Sequence, residues 1–193
     1  MTAAYGVVTK IKKKRISELL VQGRRLDGRG LTDYREIKVE LGLIGKAAGS
    51  ALVSLGNTKV LAGIKIETGQ PFPDTPNEGV LIVNAELVPL ASPSFEPGPP
   101  SENSIELSRV VDRGIRESKA IDTKKLCIVS GKKVFLVYVD IYILDHDGNL
   151  FDASALASIS ALLNAKMKEF TVEDGELKFK ESSIKLPVSN YPV

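Results

Sequence analysis

Ser50-Ala51-Leu52-Val53-Ser54-Leu55-Gly56-Asn57-Thr58-Lys59-Val60-Leu61-Ala62-Gly63-Ile64-Lys65-Ile66 is the stretch that decides the fold. Two apolar runs flank a Gly-Asn pair, the pattern of a tight β-hairpin, so strands are expected over 50–55 and 58–66. Working outward, Ile37 to Leu41 alternates at period two, as a half-buried strand does. Residues 68–79 read as loop, carrying Gly69, Pro71, Pro73, Pro76 and Gly79. Val80 to Leu90 reads as a further strand, ended by Pro89 and Pro93, and Phe95-Glu96-Pro97-Gly98-Pro99-Pro100 as a stiff loop.

The period then changes. Ser104 to Arg116 repeats at helical spacing, with Asn103 and Glu106 placed to form a capping box. Arg109, Arg113 and Arg116 fall in one sector; Leu107, Val110, Val111, Gly114 and Ser118 are expected to face the core. Lys133 to Leu144 is apolar on both faces, as in a strand covered on both sides. Ala153 to Leu163 is apolar all round, as in a buried helix. An amphipathic helix is expected over 10–22, with Ile11, Ile16, Leu19, Leu20 and Val21 among lysines and Gly23 as its stop. Phe170 to Lys180 reads as a polar hairpin around Asp174-Gly175. The last residues, Tyr191-Pro192-Val193, close no element, from which we expect a longer chain interrupted here. Strands mixed with helices in this order make an α+β domain.

The chain has 193 residues, 43% hydrophobic and 26% charged, enough for one well-cored domain or lobe. Its net charge of +2 means that any nucleic-acid contact must be local rather than global. One cysteine, Cys127, and one histidine, His146, cannot supply a structural zinc site. Cys127 among Leu126, Ile128 and Val129 reads as a buried small hydrophobe in a reducing compartment. No run approaches the ~20 apolar residues of a membrane span, and Met1 to Tyr5 lacks a signal pattern, so a cytoplasmic protein without a membrane is expected.

Several residues could carry chemistry. The three arginines suit phosphate oxygens, because a planar guanidinium gives bidentate, charge-assisted bonds. Asp112 and Glu117 stand at helical spacing from Arg116 and Arg113, so a salt-bridged solvent face explains the same residues. Lys12-Lys13-Lys14-Arg15 has the same two readings, nucleic-acid patch or solvated face. Asp145-His146-Asp147 could hold a metal or a base, but a turn at Asp147-Gly148-Asn149 accounts for it more simply. Asp140, mid-strand, must find donors or line a cleft. A glycine turn opening a helix is an anion site in form. Here Leu150, Phe151 and Asp152 follow the turn, two apolar residues and a negative charge. There is no Walker motif, no Gly-x-Gly-x-x-Gly and no serine nucleophile elbow.

Taken together, Arg25-Leu26-Asp27-Gly28-Arg29, and Gly49-Ser50-Ala51 leading to Gly56-Asn57-Thr58, resemble the opening signatures of the RNase PH superfamily. Ile105-Glu106-Leu107-Ser108-Arg109-Val110-Val111-Asp112-Arg113 resembles that superfamily's RNA-facing helix. Pro73-Asp74-Thr75-Pro76-Asn77, Phe95 to Pro100, and Leu144-Asp145-His146-Asp147-Gly148-Asn149 resemble the non-catalytic RNase PH-like subunit of the archaeal exosome. The resemblance runs from about Gly23 to Val193. It implies a ribosomal-protein-like β-α unit with a mixed sheet against helices, possessed here as the first half plus the start of a second. Residues 1–23 would be a helical extension and 24–193 the RNase PH-like domain.

The resemblance also implies a function. Active members hold inorganic phosphate on a turn whose hydroxyl and arginine correspond to Leu150 and Phe151 here, so Asp147, Gly148, Asn149, Leu150 and Phe151 form a degenerate phosphate site. Their catalytic aspartates lie in the second half. The loop before the arginine helix, basic in active members, holds Glu96, Ser101, Glu102 and Asn103 here. The expectation is therefore a subunit with no catalytic residues, no metal and no cofactor. Its Arg109, Arg113 and Arg116 would bind single-stranded RNA at the active site of a catalytic RNase PH-like partner. That partner would pair with it as heterodimers in a hexameric ring under RNA-binding cap subunits. The alternative is a phosphorolytic 3′-to-5′ exoribonuclease active by itself.

Overall fold

The computed structural model describes residues 2–173 and 176–191, so the expected Asp174-Gly175 turn lies outside the described residues. The chain divides into two compact units, Met1–Arg35 and Glu36–Val193.

In the first unit, α1 (Thr2–Val21) begins eight residues earlier than expected. It is not amphipathic. Ile11, Ile16 and Val21 recur every five residues, which at 3.6 per turn walks them round the axis, and all three are exposed. Gly23 ends the helix as foreseen. It takes a left-handed φ of 73°, its N–H reaches the Leu20 carbonyl, and the Arg24 N–H reaches that of Leu19. The following Arg25-to-Asp33 segment ties itself together. Arg25 donates to the Leu31 carbonyl at 2.6 Å, and Arg29 bonds Asp27 at 2.7 Å and the Asp33 carbonyl at 2.6 Å. The Arg29 guanidinium holds the Asp27 carboxyl below its ordinary range. These residues serve the loop's own shape.

The second unit is a mixed sheet with helices on one face. β1 (Ile37–Leu41), β2 (Gly49–Leu55), β3 (Thr58–Gly69), β4 (Val80–Leu87), β5 (Cys127–Val129) and β6 (Lys133–Asp145) build it in the order β1-β2-β3-β6-β4, with β5 on β6. All pairings are antiparallel except β4 with β6. The decisive hairpin forms with Leu55 opposite Thr58. β3 runs three residues past Ile66 into the expected loop, because β6 is long enough to pair it through Gly69. β4 stops at Leu87, before Pro89. A small hairpin, β7 (Lys166–Glu173) with β8 (Glu176–Lys185), follows.

Val60, Ala62 and Ile64 of β3 and Val137, Val139, Ile141 and Ile143 of β6 form the core under α2 (Glu102–Glu117) and α3 (Leu150–Asn164). α3 lies close on the sheet because its buried face is mostly small, with Ala153, Ser154, Ala157, Ser158 and Ala161 beside a single large residue, Leu162. Gly49 completes that approach; a Cβ there would sit 2.6 Å from the Ala165 Cα and collide with the Ala161 carbonyl. Two expectations are corrected by this layering. β6 is covered on one face only, and the other face carries Tyr138, Asp140 and Tyr142. α3 buries one face, leaving Phe151 and Leu163 exposed. Cys127 is half-buried rather than buried.

α2 is capped by Ser101, whose hydroxyl accepts from the Ser104 N–H at 3.3 Å, not by Asn103. The start is set by packing: the Ser104 hydroxyl donates to the Ala85 carbonyl of β4. The buried stripe is then Ser104, Leu107, Val111 and Ile115. Val110 is 47% exposed, since it lies about 100° round the helix from that stripe, and Gly114 is exposed too.

Candidate nucleic-acid interface

The amphipathic pattern of α2 turns its apolar stripe to the sheet and so presents Arg109, Arg113 and Arg116 on the opposite side. The structure separates them. Arg116 is tethered: its Nη2 and Nε meet the two Asp112 carboxylate oxygens at 2.8 and 3.1 Å. Its Nη2 also donates to the Leu81 carbonyl of β4 at 3.1 Å. The Asp112 carboxylate raises the Arg116 pKa further, against the opposing cost of partial burial. Arg109 and Arg113 are exposed and make no ion pair or hydrogen bond among the described residues. One helical turn apart, they border a shallow hollow of about 430 Å³ shared with Glu102, Ile105, Glu106 and Val110. Of the i,i+4 pairs that the sequence offered, Asp112–Arg116 forms and Arg113–Glu117 does not. Two free, adjacent guanidinium groups on a rigid helix can each fork onto a phosphate oxygen pair.

The turn at the end of β6 is built from across the sheet. Thr58 Oγ1 donates to the Gly148 carbonyl at 2.7 Å and accepts from the Asp147 N–H at 3.0 Å. Asn57 Nδ2 donates to Asp147 Oδ2 at 3.1 Å. Gly148 and Asn149 both take left-handed φ, 79° and 58°, which delivers the chain sharply into α3. Asn149 makes no side-chain cap; its amide donates to Asp152 at 2.7 Å instead. The first turn of α3 thus offers Leu150, half-buried, Phe151, 43% exposed, and an acid. No hydroxyl or cation stands there. The hairpin signal gave no hint that Asn57 and Thr58 also fasten this turn, since that role depends on a pairing 90 residues away in sequence.

His146 stacks on Phe95, ring centres 5.2 Å apart, and its Nδ1 accepts from the Gly148 N–H at 3.4 Å. It fixes the Phe95 loop against the turn. Among the described residues no cluster of three or more histidines, cysteines and acids could hold a metal. Asp140 finds no hydrogen-bond donor among the described residues, contrary to the expectation for a structural carboxylate. Burial raises its pKa, Glu86 adds to the rise, and Lys65 opposes it. It lines a cleft. Among the described residues no helix is long and apolar enough to cross a membrane.

Residues 33–168 match the family described as the 3′ exoribonuclease family, domain 1, of RNase PH type. The chain belongs to that family. It is 56% identical over 189 residues to the exosome complex component Rrp42 of Pyrococcus horikoshii, covering 97% of this chain and 69% of that protein. The Rrp42 of Methanothermobacter thermautotrophicus is 50% identical over 190 residues, covering 98% of this chain and 70% of the relative. Among solved structures, a chain of the Archaeoglobus fulgidus exosome with RNA bound to the active site superposes with a TM-score of 0.85 at 54% identity. That match covers 95% of this chain and 70% of the other. A chain of an archaeal exosome core gives 0.80 at 49% identity, covering 95% and 67%. The RNase PH-like α+β fold read from the sequence is the fold observed.

Proposed function

We propose that this chain is a non-catalytic, RNA-binding subunit of an archaeal-type exosome ring in the cytoplasm. In this reading it pairs with a catalytic RNase PH-like subunit in heterodimers of a hexameric ring, beneath RNA-binding cap subunits. Arg109 and Arg113 hold phosphates of single-stranded RNA at the partner's active site, where inorganic phosphate attacks the 3′ end. Arg116 supports them by fixing α2 to β4 rather than by contacting RNA. The high identity to Rrp42 proteins supports membership of an exosome.

One contrast carries the assignment of roles: two unpartnered arginines on α2, against a helix-opening turn filled by Leu150, Phe151 and Asp152. Phosphorolysis requires donors aimed at the phosphate and the developing charge, and apolar side chains supply none. RNA held through phosphates alone is bound with little sequence preference and strong salt dependence.

The test is phosphate-dependent decay of labelled RNA, with this chain alone, with a catalytic RNase PH-like partner, and with both. Decay that needs both, and weakens when Arg109 and Arg113 are alanine, is the expected result. Vigorous decay by this chain alone would replace the reading with that of an active exoribonuclease. An assembled complex indifferent to both arginine changes would reduce the chain to a scaffold.

A further inference from the structure

The face of the sheet away from α2 and α3 carries a cleft that the RNA reading does not use. It opens with about 890 Å³ along β3 and β6, the segment from Ile44 to Ala48, and the start of β7, and reaches the edge of the core at Ile64, Phe135 and Met167. Its origin lies in the register. Gly63 on β3 stands opposite Asp140 on β6, so the sheet's centre lacks one side chain and hollows out. A Cβ at Gly63 would meet nothing nearer than the Ile44 Cδ1 at 3.8 Å, so nothing in the packing requires a glycine there.

The lining divides by chemistry. Ile44 and Leu61, on the same side as Gly63, supply an aliphatic floor, the feature that anchors an apolar side chain. Four lysines surround it: Lys46, Lys65, Lys166 and Lys168. Lys65 is matched by Glu67 at 2.6 Å. The other three are exposed and form no ion pair among the described residues. Against them stands Asp140, partly buried and without a donor. The cleft therefore has an excess of positive charge round an aliphatic centre. It presents no arginine and few aromatic faces, the groups that single-stranded RNA uses for forked phosphate contacts and base stacking.

We propose that this cleft docks an acidic segment of a partner protein, seated by one aliphatic or aromatic anchor over Gly63. The segment's carboxylates meet Lys46, Lys166 and Lys168, and a backbone N–H of the bound segment donates to Asp140. Complementary charge of this kind speeds association and selects the partner, while the anchor supplies the buried area.

The experiment uses a fluorescein-labelled peptide of alternating aspartate and glutamate around a single central leucine, titrated with the whole chain and followed by anisotropy. A second peptide has serine in place of the leucine, and a labelled oligouridylate serves as the nucleic-acid probe. Two variants attack the cleft independently: Gly63→Val, which fills the hollow, and the double change Lys166→Glu with Lys168→Glu, both on exposed positions. Expected is saturable binding of the leucine peptide, weakened at least tenfold by serine and by either variant, with oligouridylate binding unchanged by both. No anisotropy change with the leucine peptide up to millimolar protein would overturn the proposal. So would equal binding of the two peptides, or full retention by the double lysine variant. If the lysine changes release oligouridylate and not the peptide, the cleft is a nucleic-acid surface and the proposal is wrong.

Discussion

Thr58 and Gly148 are joined through one hydroxyl: Thr58 Oγ1 donates to the Gly148 carbonyl and accepts from the neighbouring Asp147 N–H. Thr58 is fully buried, whereas Asp147 and Gly148 lie at the surface. Thr58→Val keeps the shape and the strand propensity but leaves a carbonyl and an N–H without that partner. A loss of about 1–3 kcal/mol is expected, read as a lower midpoint in urea with an unchanged m-value. A variant as stable as the parent would mean that the turn holds its position without this hydroxyl.

The three arginines should behave differently. Arg109→Ala and Arg113→Ala are each expected to leave stability within roughly 0.5 kcal/mol, as for exposed residues without partners. In the assembled complex each should weaken RNA binding and lower the slope of log affinity against log salt by about one. Arg116→Ala removes a half-exposed ion pair and the bond to Leu81, and should cost stability of about 1 kcal/mol. Its salt slope should stay at the parental value. If all three variants share one phenotype, the division between contacting and tethering arginines fails.

Gly49 and Gly63 make a matched pair of steric tests. Alanine at Gly49 would collide with the Ala161 carbonyl, so Gly49→Ala should destabilise by about 1–3 kcal/mol. At Gly63 the same change meets only an ordinary contact and should be neutral or slightly stabilising, by relieving glycine's entropy in a strand. Thermal melts of the two variants decide it; equal melting points would mean that α3 lies further from β2 than described.

Asp140 offers a test by pH. Its folded-state pKa is raised, through burial first and Glu86 second, so folding favours the protonated acid. Its contribution is full below the ordinary carboxylate pKa and is lost as pH rises through the raised value. Asp140→Asn should therefore stabilise the chain at neutral pH, with the advantage shrinking as pH falls towards 3. Melting temperatures of both proteins between pH 3 and 8 give the answer, and an advantage that grows on acidification would reverse the sign of the argument.

The sheet was legible because its strands are long: Ile37–Leu41 emerges from alternation, the Gly56-Asn57 hairpin from its turn residues, and Lys133 to Leu144 from an unbroken apolar run, which the structure extends to Asp145. The arginine sector was legible as well, since helical geometry fixes it without tertiary information. What failed depends on contacts between distant elements. Ser101 caps α2, rather than Asn103, because Ser104 is drawn to the Ala85 carbonyl on β4. Covering of β6 on both faces could not be separated by pattern from covering on one, since Tyr138 and Tyr142 are amphipathic and suit either. The tethering of Arg116 by Leu81 depends on how α2 packs on β4, and the cleft at Gly63 on strand register; one sequence specifies neither.

α2 is fastened to β4 near both ends, by Ser104 on the Ala85 carbonyl and by Arg116 on the Leu81 carbonyl. The two fastenings are separated by about 18 Å of helix, and Arg109 and Arg113 stand between them. A rod pinned twice can neither swing nor roll. The motion left to each guanidinium is rotation about its own side-chain bonds, so an incoming strand meets two charges at a spacing already set. The ordering cost on capture then falls on the two side chains and on the polymer, and hardly at all on the backbone that carries them.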